Sequence, residues 1–187
     1  MMKEMTQPAE KIWLIQNFWS ATRCQAFIEW AESTGFEAAK INIGHGKQAM
    51  NKAVRNNERI ILDDEELAEH LWKELQPYAP AETEFGVAIG LNERFRLYKY
   101  VPGMRFKGHQ DGSFLRNINE WSSFTFMIYL NAVKKGGETN FDKCSVIPKT
   151  GEALIFAHEL WHEGAEVLEG VKYVLRTDVM YKRKGRK

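Results

Sequence analysis

Residues 94–104, Arg94-Phe-Arg-Leu-Tyr-Lys-Tyr100-Val-Pro-Gly-Met104, change the character of the chain. Seven residues rich in β-formers run into a Pro-Gly turn signal, and the same alternation of short apolar runs and turns continues to the end. Downstream come FTFMIYLN (124–131), KKGGE, TNF (139–141), SVI (145–147), EALIF (152–156) and KYVLRTDVMY (172–181). No helical period of useful length appears after Tyr78. Upstream the pattern is helical. Ser20 is placed to cap a helix in which Cys24, Phe27, Ile28 and Ala31 share a face and Gly35 is the stop. Asp64 is placed to cap a second, with Leu67, Leu71 and Leu75 on one face and Pro77 at its end. Between them INIGHGKQAMNKAVRNNER (41–59) is polar and rich in Gly and Asn, and reads as a long loop carrying His45. Two helices followed by about eight short strands predict a mainly β fold, a sandwich or barrel braced on one side by helices. On this reading one domain spans 1–187, with helical support over 1–90, a β core over 91–181 and a basic tail over 182–187.

Composition sets the outer limits. The chain has 187 residues, 44% hydrophobic and 27% charged, which is ordinary for a globular domain able to bury a core without disulfides. Cys24 and Cys144 stand at no metal-binding spacing, so a reduced, cytoplasmic protein is the simpler expectation. No stretch has the apolar length of a membrane span, and residues 1–13 lack the apolar run of a signal peptide. Net charge is +1, yet Lys182, Arg183, Lys184, Arg186 and Lys187 crowd the last six positions, leaving a mildly acidic body. A short terminal run of this kind is ordinarily solvated, so neither nucleic acid nor membrane is expected as a partner.

The chemistry concentrates at His109-Gln110-Asp111. Side chains two apart on a strand point the same way, so an imidazole and a carboxylate at this spacing can reach one metal ion. A second histidine, His162, follows 53 positions later, just after EALIF and its turn; His158 competes with it for the third place. Two imidazoles and one carboxylate leave open positions on iron(II), whereas a closed zinc site would need a fourth Cys or His. Lys172, ten positions after His162, and Arg176, on the same strand face, are cations that a barrel interior tolerates only opposite an anion. Arg176 can equally pair with Asp178 or Glu166.

Between Arg94 and Tyr181 the chain resembles the prolyl 4-hydroxylase-like branch of the iron(II) and 2-oxoglutarate-dependent oxygenases. The resemblance rests on Tyr100-Val-Pro-Gly-Met-Arg-Phe-Lys-Gly-His109-Gln-Asp111, on Tyr129-Leu-Asn131 followed by Gly136-Gly-Glu-Thr139, on Pro148-Lys-Thr-Gly151-Glu-Ala-Leu-Ile-Phe156, and on His162-Glu-Gly-Ala-Glu-Val167 with Gly170-Val-Lys172. It implies a double-stranded β-helix, or jelly roll, and His109, Asp111 and His162 as catalytic metal ligands. The family spacing from distal histidine to anchoring lysine selects His162 over His158. By resemblance Lys172, Tyr100, Tyr129, Met127 and Thr139, with Arg176 as a further candidate, would hold 2-oxoglutarate. The implied activity is hydroxylation of an unactivated C–H bond, on a protein residue or a small molecule, with 2-oxoglutarate and dioxygen consumed and succinate and CO2 formed. A carboxylate at 111 points away from halogenation, which in related enzymes needs a small residue there. Phe106 stands where many prolyl hydroxylases carry tyrosine, and 112–123 (GSFLRNINEWSS) has no familiar peptide groove; Phe114 and Trp121 there either pack the loop or contact substrate. Proline is therefore not established as the target. The competing readings are a cupin-like metal barrel, an isomerase or ligand-binding module, that is no oxygenase, and an inert barrel with a nucleic-acid-recruiting tail.

Overall fold

The structure is a computed structural model that describes residues 2–39, 41–42, 48–49, 51 and 53–185, with only the backbone described for 41–42 and 48–49. His45 lies outside the described residues, as do the tail positions 186 and 187. Both helices form where the sequence places them. Ser20 Oγ accepts from Arg23 N–H at 3.2 Å to start Ala21–Thr34, and Gly35, at φ 89°, ends it. Asp64 Oδ1 accepts from Leu67 N–H at 2.8 Å to start Glu65–Leu75, with Glu65 and Glu66 in the favourable first turn. Leu71 and Leu75 are fully buried, stabilising this helix on the sheet by about 2 kcal/mol each.

The main sheet is antiparallel and runs Glu4–Ala9, Ile12–Gln16, Ala153–Ala157, Glu120–Tyr129, Lys172–Arg183, Arg94–Tyr100, Glu58–Asp63, Glu37–Ala38. Leu115–Asn117 and Gly86–Leu91 add to it through the Glu120–Tyr129 and Lys172–Arg183 strands. A smaller sheet, ordered Ser145–Val146, Thr139–Phe141, His162–Gly164, Phe106–His109, supplies the second wall. This is the expected mainly β jelly roll. The two-residue period of the strands divides the core. Phe95, Leu97, Phe124, Phe126, Ile128, Ile155 and Leu175 face the helices. Tyr98, Tyr100, Met127, Tyr129, Leu154, Phe156 and Val174 face the space between the sheets.

The reading of residues 1–90 as helical support needs correction. Glu4–Ala9, Ile12–Gln16, Glu58–Asp63 and Gly86–Leu91 are strands of the main sheet. Runs such as IWLIQ and ERIILD are too short for period alone to separate strand from helix; pairing with 153–157 and 94–100 decides them. Residues 112–123 are a hairpin rather than a free loop, because Leu115–Asn117 pairs with the start of Glu120–Tyr129. The tail is partly structure as well. The last strand continues through Arg183, and Lys184 Nζ lies 2.8 Å from a Glu82 carboxylate oxygen. Among the described residues no helix is long and apolar enough to cross a membrane.

Gly151 fixes where the chain turns into the Ala153–Ala157 strand. Its φ is +76°, its N–H donates to Tyr129 O at 2.8 Å, and its carbonyl accepts from Trp19 N–H at 3.0 Å. A Cβ there would stand 2.0 Å from the Trp19 carbonyl oxygen, a backbone atom that cannot swing aside. Gly151→Ala is expected to cost about 3 kcal/mol, read as a fall in melting temperature of roughly 6–12 °C in a thermal unfolding scan.

Candidate metal centre and adjoining cavity

The smaller sheet brings the two histidines together: His162 and His109 are direct partners across antiparallel strands, with ring centroids 4.3 Å apart. Asp111 sits just past the end of the Phe106–His109 strand, anchored by its N–H to the His158 carbonyl at 3.1 Å. One potential ligand atom from each of His109, Asp111 and His162 lies within 4.8 Å of the others. The carboxylate is 3.7 Å from each histidine Nε2, through Oδ1 to His109 and Oδ2 to His162. The His-x-Asp pair thus works from a strand end, His109, and the second residue beyond it, Asp111.

Backbone carbonyls set the tautomers. His109 Nδ1 lies 2.8 Å from Lys107 O and His162 Nδ1 lies 3.1 Å from Leu160 O, so each ring donates through Nδ1 and turns an Nε2 lone pair inward. Phe106 stacks on His109 at 3.6 Å between centroids. Burial, reinforced by the neighbouring His162, pulls the His109 pKa down to about 4; burial lowers His162 too. Both are neutral at pH 7, as ligands must be. Burial alone would raise the Asp111 pKa, but Arg176, His162 and Thr125 outweigh it and hold the carboxyl well below its usual range. Thr125 Oγ1 donates to Asp111 Oδ2 at 2.5 Å, and an Arg176 guanidinium nitrogen stands 2.9 Å from Oδ1. Two neutral imidazoles and one ionised carboxylate, grouped on one side of a cavity, suit iron(II) with positions left open.

A narrow pocket leads inward from this triad, lined among others by Tyr98, Tyr100, Met127, Thr139, Phe156 and Lys172. Lys172 is 3% exposed. Its Nζ donates to Gly137 O at 2.6 Å and lies 5.5 Å from both the Tyr100 and Tyr129 ring centroids. Burial pulls its pKa down to about 7, against a weaker upward pull from Glu138. No salt bridge to Lys172 is found among the described residues. A buried ammonium without a carboxylate is a site waiting for an anion. Tyr129 is fully buried, with its hydroxyl 2.7 Å from Thr139 Oγ1, while burial raises the Tyr100 pKa to about 12.

The remaining candidates separate cleanly. Arg176 lines the same cavity but at the triad end, where it pairs with Asp111 at 2.9 Å and Asp178 at 3.5 Å. His158 is buried against Asp178, its Nε2 3.5 Å from Oδ1, outside the metal cluster. Phe114 lines the outer mouth of the site, whereas Trp121 packs on the core and donates from Nε1 to Ser123 Oγ. Tyr98 and Arg55 were not singled out in the sequence. Strand alternation flags Tyr98, which shares a face with Tyr100, but nothing in the polar stretch 41–59 marks Arg55.

A family model described as the 2OG-Fe(II) oxygenase superfamily matches residues 95–177, which contain the triad and Lys172. Among solved structures the fold is similar to a viral collagen prolyl hydroxylase from Paramecium Bursaria Chlorella virus-1, crystallised as a 2OG complex. That match has a TM-score of 0.67 at 19% identity and covers 94% of this chain and 98% of that one. It is similar also to a Pseudomonas putida prolyl-4-hydroxylase, with a TM-score of 0.64 at 15% identity over 94% of both chains. A third similar structure is a Trichoplax adhaerens prolyl hydroxylase in complex with a hypoxia inducible factor oxygen degradation domain peptide. Its TM-score is 0.70 at 14% identity, over 94% of this chain and 84% of that one. No curated protein matches the sequence.

Proposed function

We propose that this chain, whose residues 95–177 match the 2OG-Fe(II) oxygenase superfamily, is an iron(II) and 2-oxoglutarate-dependent dioxygenase, with the following residue roles. His109 and His162 through Nε2, and Asp111 through its carboxylate, hold the iron. Lys172 receives the far carboxylate of 2-oxoglutarate at the inner end of the cavity. The observation that carries this reading is the placing of a metal-type donor set and a buried, acid-free lysine on one cavity. A metal-binding barrel of another class has no use for such a lysine, and the family match does not favour it.

When bound, iron(II) supplies the dioxygen chemistry that couples decarboxylation of 2-oxoglutarate, to succinate and CO2, with insertion of one oxygen atom into a substrate C–H bond. The protein prepares the rest. Lys107 O and Leu160 O fix the imidazole tautomers, and Thr125 and Arg176 fix both carboxylate oxygens of Asp111. Tyr100, Met127, Thr139, Phe156 and Val174 enclose the co-substrate and keep water from it, with Tyr129 steadying Thr139. The ionised Asp111 supports hydroxylation over halogenation. The prime substrate is a protein side chain or a small molecule; the peptide held by the Trichoplax relative makes a peptide the natural first trial. Free Cys24 and Cys144 support a reducing, cytoplasmic setting.

The test is succinate formation from 2-oxoglutarate. Turnover is expected with iron(II), is expected to vanish when a chelator strips the metal, and to return when iron(II) is restored. Succinate formation that is indifferent to chelation would end the proposal.

A further inference from the structure

Outside the triad the pocket widens into a mouth of about 450 Å³ that shares His109, Asp111 and Arg176 with the inner part and adds Arg55, Arg59 and Arg96. The guanidinium groups of Arg55, Arg96 and Arg176 on one concave surface are costly to assemble unless something negative joins them. The acids on this wall are Asp111, already committed to the metal and to Arg176, and Asp178. Asp178 is divided among Arg96 at 3.7 Å, Arg176 at 3.5 Å and His158 at 3.5 Å. Burial lowers the Arg59 pKa, and repulsion from Arg55 and Arg96 acts in the same direction against Tyr98 and Glu37.

Arg55 is the decisive residue. It is 5% exposed, yet its Nη2 has no hydrogen-bond partner and no described carboxylate pairs with it. Its plane is fixed by the Phe106 ring at 4.3 Å and the Tyr98 ring at 4.6 Å, and its Nε donates to Asn57 Oδ1 at 2.6 Å. A residue needed only to tie the 53–57 segment to Phe106 would be satisfied by that stacking and by the Arg55–Phe106 backbone bridge. The guanidinium also faces the Tyr98 and Tyr100 hydroxyls, yet its Nη2 makes no hydrogen bond. Arg96 Nη1, 3.7 Å from the shared Asp178 carboxylate, makes no hydrogen bond. Planar guanidinium edges held by stacking are the geometry that grips a carboxylate or phosphate through paired N–H donors.

We propose that Arg55 and Arg96 form an oxyanion subsite for the prime substrate, so that this enzyme oxidises a C–H bond in a molecule bearing a carboxylate or phosphate close to that bond. The inference rests on the oxygenase reading above and gives its missing substrate class. The anion is not the 2-oxoglutarate carboxylate: Lys172 lines the inner pocket, and neither Arg55 nor Arg96 is among that pocket's lining residues. Neutral proline-rich segments leave this subsite unmet.

The test uses the full chain loaded with manganese(II) and 2-oxoglutarate, titrated calorimetrically at low salt with methyl phosphate and, separately, with acetate. Saturable binding of at least one anion is expected, weakened about tenfold or more in Arg55→Gln and in Arg96→Gln. A preference for methyl phosphate assigns a phosphorylated substrate, and a preference for acetate a carboxylic acid. Loaded protein that binds neither anion overturns the subsite while leaving the oxygenase reading intact. Binding unchanged in both variants also overturns it. Failure to take up 2-oxoglutarate with manganese sinks the oxygenase reading itself, and the subsite with it. Should Arg55→Gln not fold, Arg96→Gln carries the comparison alone.

Discussion

Asp111→Ala is expected to reduce 2-oxoglutarate turnover to the level of the metal-free protein and to destabilise the fold as well. Two losses combine. The only anionic member of the donor set disappears, leaving two neutral imidazoles, a poor match for a hard divalent ion. The same change strips Arg176 of its 2.9 Å partner and Thr125 of its acceptor. Removing one side of a buried ion pair costs about 3–5 kcal/mol; here Asp178, 3.5 Å from Arg176, offsets part of it, so about 2–3 kcal/mol is the expected fall in stability. Asp111→Asn separates the two effects. It keeps the shape and one acceptor oxygen but not the charge, so it should recover part of the stability while restoring little turnover. The measurements are succinate formation with added iron(II) and chemical denaturation of the same preparations. A folded Asp111→Ala enzyme with undiminished turnover would sink the metal assignment.

What could be read from the sequence followed from local rules. Helix caps at Ser20 and Asp64, the Pro-Gly turn after Tyr100 and the inward set Thr125, Met127 and Tyr129 each depend on neighbours in the chain, and each forms as expected. The triad was legible because two of its members stand two residues apart in a His-x-Asp pair and the third stands at a recognisable distance from Lys172. Residues whose roles arise only on folding were not legible. Ile12–Gln16 becomes a strand because Ala153–Ala157 offers it an edge, from across most of the chain. The carbonyls of Lys107 and Leu160 orient the histidines, and backbone carries no sequence signal. Arg55 reaches the mouth only because Val54–Asn56 docks beside the Phe106–His109 strand, through Lys107 N–H to Val54 O and Asn56 N–H to Arg105 O. Arg176 shows the limit of face arithmetic. It shares a strand face with Lys172 as expected, yet four residues along a strand put it at the iron end, where Asp111 claims it.

Lys172→Ala is expected to raise the 2-oxoglutarate requirement about 100-fold while changing kcat far less, because in the proposed role Lys172 would grip the far carboxylate equally in ground and transition states. Truncating one partner of a buried charge pair costs roughly 2–5 kcal/mol, and a 100-fold change falls inside that window. The pH dependence gives a second, sharper readout. In the ligand-free enzyme burial sets the Lys172 pKa at about 7, so above that pH the resting side chain is neutral. Binding a carboxylate favours the ammonium, and the complex must therefore take up a proton whenever it forms above pH 7. The KM for 2-oxoglutarate should be flat below about pH 7 and climb above it, approaching tenfold per unit. In Lys172→Ala that limb disappears and the requirement stays high throughout. His109 and His162 do not produce the same curve, since both pKa values are lowered and both rings are already neutral across this range. A wild-type KM that falls with rising pH, or a variant KM equal to wild type, would move the anchor to Arg176. Its pairing with Asp111 would then have to break on co-substrate binding.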